Sequence, residues 1–95
     1  MNGWRMSQDA ERLYDRLLIL RCQAGDPDAF HEIVDRFGPR LRYYLRKLLS
    51  RAEDADDVLQ EVWFDLYRAI PRLNDPGAFS AWVYRIARDR ATWDR

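Results

Sequence analysis

Two runs of residues carry side chains that a folded core does not require. Asp56, Gln60, Trp63 and Tyr67 recur at i, i+4, i+7 and i+11, which puts an acid, an amide and two amphipathic rings on one face of a helix. That mixture suits a docking surface, because aromatic rings supply contact area while the polar groups fix orientation. Burial competes for the two rings, since large apolar side chains are mostly inside. Arg85, Arg88, Asp89 and Thr92 recur at i, i+3, i+4 and i+7 on a second helix. Two arginines beside short polar groups suit contact with phosphates and with the edges of bases. An ordinary solvated helix face has the same spacing.

Those faces need helices to hold them, and the periodicity is helical throughout. Ser7 is placed to cap a first helix running to about Gly25, with Leu13, Leu17 and Leu20 at helical spacing. Gly25 reads as its stop, and Asp26-Pro27 as an N-cap followed by proline at the first helical position. A second apolar stripe, Phe30, Ile33, Val34, Phe37, Leu41, Leu45, Leu48 and Leu49, keeps its phase across Gly38-Pro39. It predicts one kinked helix or two nearly collinear ones. Ser50 to Glu53 has the spacing of a capping box for the third helix, and a start a few residues later satisfies the pattern equally. Ala55, Val58, Leu59, Val62, Leu66, Ala69 and Ile70 form that helix's inward face, until Pro71 and Asn74-Asp75-Pro76-Gly77 make a loop. The last helix starts near Ala78, with Phe79, Trp82, Val83, Ile86 and Ala87 inward. The expectation is an all-α compact bundle of three to four helices. Its core should join Val58, Leu59, Val62, Leu66, Phe79, Trp82, Val83 and Ile86 to Phe30, Ile33, Val34 and Phe37.

Composition excludes several classes of function. With 95 residues, 47% of them hydrophobic, the chain fits one domain with a real core. Only 4 glycines and 4 prolines argue against an all-β chain with many tight turns. Cys22 is the one cysteine and His31 the one histidine, so neither an internal disulfide nor a Cys/His zinc site can form. No secretory leader or membrane-length apolar run is present, so the expectation is a soluble, cytoplasmic domain. An enzyme using the acids from Glu53 to Glu61 to hold a metal is disfavoured, because adjacent aspartates on a helix diverge and no histidine lies nearby. We expect no enzymatic activity, no metal and no cofactor.

Net charge is zero, but it is laid out in blocks. Residues 36–51 hold 6 basic and no acidic side chains, and residues 52–67 hold 6 acidic and no basic ones. Residues 1–35 are net −3 and residues 68–95 net +3. Such blocks either present surfaces to partners of opposite sign or pair with one another across neighbouring helices, and charge alone favours the pairing.

Three segments narrow the choice. Asp56-Asp57-Val58-Leu59-Gln60-Glu61-Val62-Trp63 resembles the D-L/V-V/L-Q-E-V/T-F/W signature of sigma factor region 2.2. Phe79-Ser80-Ala81-Trp82-Val83-Tyr84-Arg85-Ile86-Ala87-Arg88 resembles the F-x-x-W-L/V-Y-R-I-A-R signature of regions 2.3 and 2.4 in the extracytoplasmic-function (ECF) group. Ala24 to Phe30 is similar to the G-D-x-x-A-F opening of region 2.1. Order and spacing agree in all three, and the resemblance covers about residues 17–95.

The resemblance implies a transcription initiation domain of the bacterial sigma-70 family that recognises and melts the promoter minus-ten element. It assigns Asp56, Gln60, Glu61, Trp63 and Tyr67 to the clamp helices of the RNA polymerase beta-prime subunit. Arg85, Arg88, Asp89 and Thr92, with Arg72, Asn74 and Asp75 in the preceding loop, are assigned to the non-template strand of promoter DNA. In the family this loop captures an unstacked base, and Asn74 can donate and accept at once. The chain departs from the common R-N pair by carrying Arg88-Asp89. Residues 1–8 are expected to be an N-terminal extension and residues 9–95 the region 2 domain. Region 4, which reads the minus-thirty-five element in the family, has no counterpart in the sequence. A competing reading is a sigma-like protein-interaction module that binds polymerase or an anti-sigma factor and has no DNA activity.

Overall fold

The computed structural model describes residues 3–94, and the side chains of residues 7–92. Four α-helices account for most of them: α1 (Gly3–Gln23), α2 (Pro27–Leu48), α3 (Ala55–Ala69) and α4 (Phe79–Asp94). Short 3-10 turns cover Ala52–Asp54, Ile70–Arg72 and Pro76–Ala78, and no strand occurs among the described residues. None of the helices is long and apolar enough to cross a membrane.

The turn from α1 to α2 is built as its residues dictate. Gly25 has φ +92°, a conformation that costs glycine little. With that kink, the Gly25 amide donates to the Cys22 carbonyl and the Asp26 amide to the Arg21 carbonyl, the paired bonds of a Schellman ending. The Asp26 carboxylate then accepts from the Asp28 amide at 3.0 Å and starts α2, with Pro27 in the first turn. Arg21 locks the corner by donating to the same carboxylate at 2.9 Å. That guanidinium holds the Asp26 carboxyl below the ordinary range.

The helix α2 runs unbroken through Pro39, so the continuous apolar stripe does make a single helix. Its buried row is Ala29, Ile33, Phe37, Leu41 and Leu45. Other boundaries differ from expectation. The first helix begins at Gly3, so Ser7 lies inside it and caps nothing. The capping box at Ser50 does not form either: the Glu53 carboxylate accepts from Arg51 at 2.7 and 2.9 Å, and α3 starts later, at Ala55.

One core cluster joins all four helices, with Phe37 and Phe79 meeting edge-on at 5.1 Å between centroids. Val58, Val62, Leu66, Val83, Ile33, Phe37 and Phe79 are buried as expected, and Leu18, Ile19, Leu41, Leu45, Ile70 and Ala87 join them. Phe30, Leu59, Trp82 and Ile86 pack on the core's rim and stay partly exposed, and Val34 is also only half-buried. Leu13, Leu17 and Leu20 are exposed. Buried contact from α1 comes instead from Leu18 and Ile19. The leucine stripe is the longer one in sequence, but it lies on the arc that α2 and the 3-10 turns do not cover.

Ion pairs tie the helices together around this core. Arg36 of α2 bonds Asp15 of α1, and the Tyr14 hydroxyl donates to Glu32 at 2.6 Å. That bond pushes the Tyr14 hydroxyl's pKa up and the Glu32 carboxyl's down. Arg42 of α2 meets Asp56 of α3 at 2.9 Å. Arg90 of α4 meets Asp65 at 2.6 Å and Glu61 at 3.2 Å, both on α3. Pairing between blocks is therefore real, yet among the described residues it consumes only Arg36, Arg42 and Arg51 of the basic block.

The rim position of Trp82 has a measurable consequence. Phe79→Ala should cost about 3–5 kcal/mol as a full core truncation, and Trp82→Ala distinctly less. Urea unfolding of both variants checks this, and an equal or larger loss at Trp82 would contradict the burial order.

Candidate functional site

Burial of Ala55, Val58, Val62 and Leu66 turns the rest of α3 outward. Asp56, Gln60 and Tyr67 are exposed, Tyr67 at 66%. Asp56 is engaged by Arg42, whereas Gln60 stands free of side-chain bonds. Trp63 sits at the inner margin of this face, half-buried, with Phe30 edge-on at 6.5 Å. The same Phe30 ring supports Tyr67 at 5.3 Å, so one α2 side chain braces both aromatics. Glu61 falls on the opposite flank, bonded to Arg90. The five residues proposed for one partner therefore divide. Four share the α2 side of α3, and Glu61 belongs to the seam with α4.

Phe64 was missed by the sequence reading, and it is 65% exposed. It lies four residues after Gln60 and three before Tyr67, on the same face. At the helical period Phe64 flanks the Asp56–Tyr67 stripe on the side away from Trp63. With Tyr67 it leaves two large rings uncovered on the outward side of α3.

The loop between α3 and α4 is held by a residue far away in sequence. The Gln23 side-chain amide donates to the Ile70 carbonyl at 3.0 Å and to the Leu73 carbonyl at 2.8 Å. No local pattern marks Gln23, because its partners are backbone oxygens on another element. Arg72 and Asn74 are exposed on this anchored loop. Asp75 is exposed too, but its carboxylate accepts from the Gly77 amide at 3.1 Å and shapes the turn into α4.

On α4, Arg85, Arg88, Asp89 and Thr92 are all exposed, while Phe79, Val83, Ala87 and Ala91 take the buried side. Neither arginine has an acidic partner among the described residues, in contrast to Arg90 on the same helix. The Thr92 hydroxyl donates to the Arg88 carbonyl at 2.7 Å, leaving its oxygen able to accept. The arrangement offers two open cations beside polar groups on one exposed face of α4. Among the described residues no group of three or more His, Cys, Asp or Glu is placed to hold a metal ion.

Comparison with known proteins identifies the architecture. Residues 33–92 match Sigma-70 region 2. The chain belongs to that family. It is 39% identical over 82 residues to the ECF RNA polymerase sigma-E factor of Haemophilus influenzae, covering 86% of this chain and 43% of that protein. To the Escherichia coli K12 protein of the same name it is 36% identical over 85 residues, covering 86% and 42%. The chain thus spans about two fifths of the length of the curated relatives it matches. An engineered region 2 of sigmaE, solved by NMR in complex with GTAAAA, superposes with a TM-score of 0.76 at 33% identity. That match covers 84% of this chain and 83% of the other. The region 2.2 and the 2.3–2.4 motifs, residues 56–63 and 79–88, both fall inside the family match.

Loop anchoring by Gln23 can be tested directly. Gln23→Ala removes two side-chain bonds, each worth about 0.5–1.5 kcal/mol. Amide exchange at Leu73 to Asp75 should quicken while α3 and α4 keep their protection. Unchanged loop exchange would show that the loop is held by other contacts.

Proposed function

We propose that this domain serves transcription initiation by docking on RNA polymerase through α3 and engaging the promoter minus-ten element through the loop and α4. The observation that carries the reading is the pair of arginines, Arg85 and Arg88, exposed on α4 without acidic partners among the described residues. The chain's likeness to an engineered region 2 of sigmaE solved in complex with GTAAAA supports a nucleic-acid ligand, which we take to be single-stranded DNA. In the finer reading, the non-template strand runs along α4 with its phosphates at Arg85 and Arg88, and a base turned out of the stack is read at Asn74. Asp89 and Thr92 contribute acceptors, and Asp75 acts by holding the loop's shape.

The polymerase contact is assigned to Asp56, Gln60, Phe64, Trp63 and Tyr67, with the beta-prime clamp helices as their partner. Glu61 acts differently in this reading, by fixing α4 through Arg90. Region 2 activity of this kind belongs in the cytoplasm, where polymerase works. A protein-interaction module without DNA activity, aimed at an anti-sigma factor, is the competing reading, and the exposed leucines of α1 favour it.

Binding to single-stranded minus-ten oligonucleotides separates the two. Arg88→Ala should weaken binding and reduce the dependence on salt by about 0.7 of a unit of slope, the share of one phosphate on a single strand. Asn74→Ala should lower preference for one base and leave the slope intact, since an amide reads an edge and carries no charge. Salt-independent or undetectable binding by the unmodified domain would favour the protein-interaction reading. For docking, Gln60→Ala with Phe64→Ala should weaken binding to a beta-prime clamp fragment by about tenfold or more, with helicity and melting unchanged. Wild-type affinity in that double variant would remove α3 from the interface.

A further inference from the structure

Three cations of the basic block are left over once its ion pairs are formed. Arg40, Arg46 and Lys47 have no acidic partner among the described residues, although Arg36, Arg42 and Arg51 each have one. Arg40 and Lys47 line a groove between α2 and α4, together with Pro39, Tyr43 and Tyr44 of α2 and Tyr84 of α4. The groove continues past Tyr43 and Lys47 to Arg42 and Arg46. No acidic side chain lines either stretch. Its floor is braced, because Tyr44 and Tyr84 meet edge-on at 5.2 Å across the helix pair.

Tyr43 is 63% exposed, with the Lys47 ammonium 4.8 Å from its ring centroid. Arg40, Tyr43 and Lys47 are spaced i, i+3 and i+7, so one helix face presents cation, ring and cation in order. Cations left along one groove repel, and no acidic side chain lines the groove between them, although Arg40 also borders a second hollow on the α1 side that holds Glu11 and Asp15. A flat exposed ring between positive charges matches a polymer that alternates aromatic bases with phosphates. An acidic peptide would satisfy the charges but make little use of the ring. The groove also borders the face already described, since Tyr84 precedes Arg88 by one helical turn.

We propose that single-stranded nucleic acid engaged on α4 continues into the α2–α4 groove, stacking a base on Tyr43 and placing phosphates at Arg40 and Lys47. This rests on the reading of α4 as a DNA-binding face and extends it to a second helix. The extension is tolerant of sequence, because every base has a face to stack and the cations read only charge.

Fluorescence anisotropy on the whole chain tests it with two probes: the single strand GTAAAA, and the same strand carrying about four thymidines at each end. The flanks should tighten binding about fivefold or more, the value of one stacked base. Tyr43→Ala with Lys47→Ala should abolish that gain and leave the affinity for GTAAAA unchanged. Both side chains are exposed, so circular dichroism should show an intact fold. On the long strand, Lys47→Ala alone should lower the salt slope by about 0.7. If GTAAAA binds and Arg88→Ala weakens it, but the flank gain is missing or survives the double variant, the groove inference fails and the α4 reading stands. If neither probe binds, both fail. Should the flanks do nothing while a polyglutamate peptide binds through Tyr43 and Lys47, the groove is a protein site and the nucleic-acid assignment is overturned.

Discussion

Phe79 meeting Phe37 edge-on, at the join of loop and α4, is the contact on which the rest of the arrangement depends. Both rings are fully buried, and they connect the middle of α2 to the first residue of α4. With Phe79 seated, Val83 and Ala87 must follow into the same core one helical turn at a time. That phase alone turns Arg85, Arg88, Asp89 and Thr92 outward. The loop before Phe79 has little freedom either, because Gln23 holds its carbonyls and Asp75 shapes its exit. A small apolar contact thus sets the direction of a polar surface.

Charge does a separate job on each side of α3 and α4. Arg90 reaches both Asp65 and Glu61, so the seam between the helices is closed by a charged network as well as by packing. Such partly exposed pairs contribute modestly to stability, and their geometry matters more than their energy. They hold α4 at one angle to α3. Away from the seam, Arg85 and Arg88 of α4 lack acidic partners among the described residues and remain available to a ligand. Zero net charge is therefore compatible with a cationic face, because Asp15, Asp26, Glu32, Glu53, Asp56, Glu61 and Asp65 are all paired with arginines of the domain itself.

The fold was legible from periodicity wherever a stripe was both long and uninterrupted. The α2 stripe, the Asp26-Pro27 start and the α3 break at Pro71 appear in the structure as the residues suggest. Periodicity did not by itself choose a face at α1, where the regular stripe of Leu13, Leu17 and Leu20 stays exposed and Leu18 and Ile19 are buried. Spacing reports which residues share a face, and only packing decides which face turns inward. Trp82 shows the same limit, since a large ring at an inward position stopped at the rim. The site was readable as motifs but not as partners. Glu61 belongs to Arg90, Phe64 stands exposed between two expected contacts, and Gln23 acts on backbone oxygens that no sequence pattern displays.

The proposed function requires one rigid domain to present two separate faces, one to polymerase and one to single-stranded DNA. Backbone amide shifts of the labelled chain, followed while a beta-prime clamp fragment and then a minus-ten single strand are added, measure this most directly. The clamp fragment should move the outward residues of α3, from Asp56 through Phe64 to Tyr67. The strand should then move Arg72 to Asp75 and the Arg85–Thr92 face without displacing the fragment. Overlapping shifts, or release of the clamp fragment on adding DNA, would contradict the separation of the two faces.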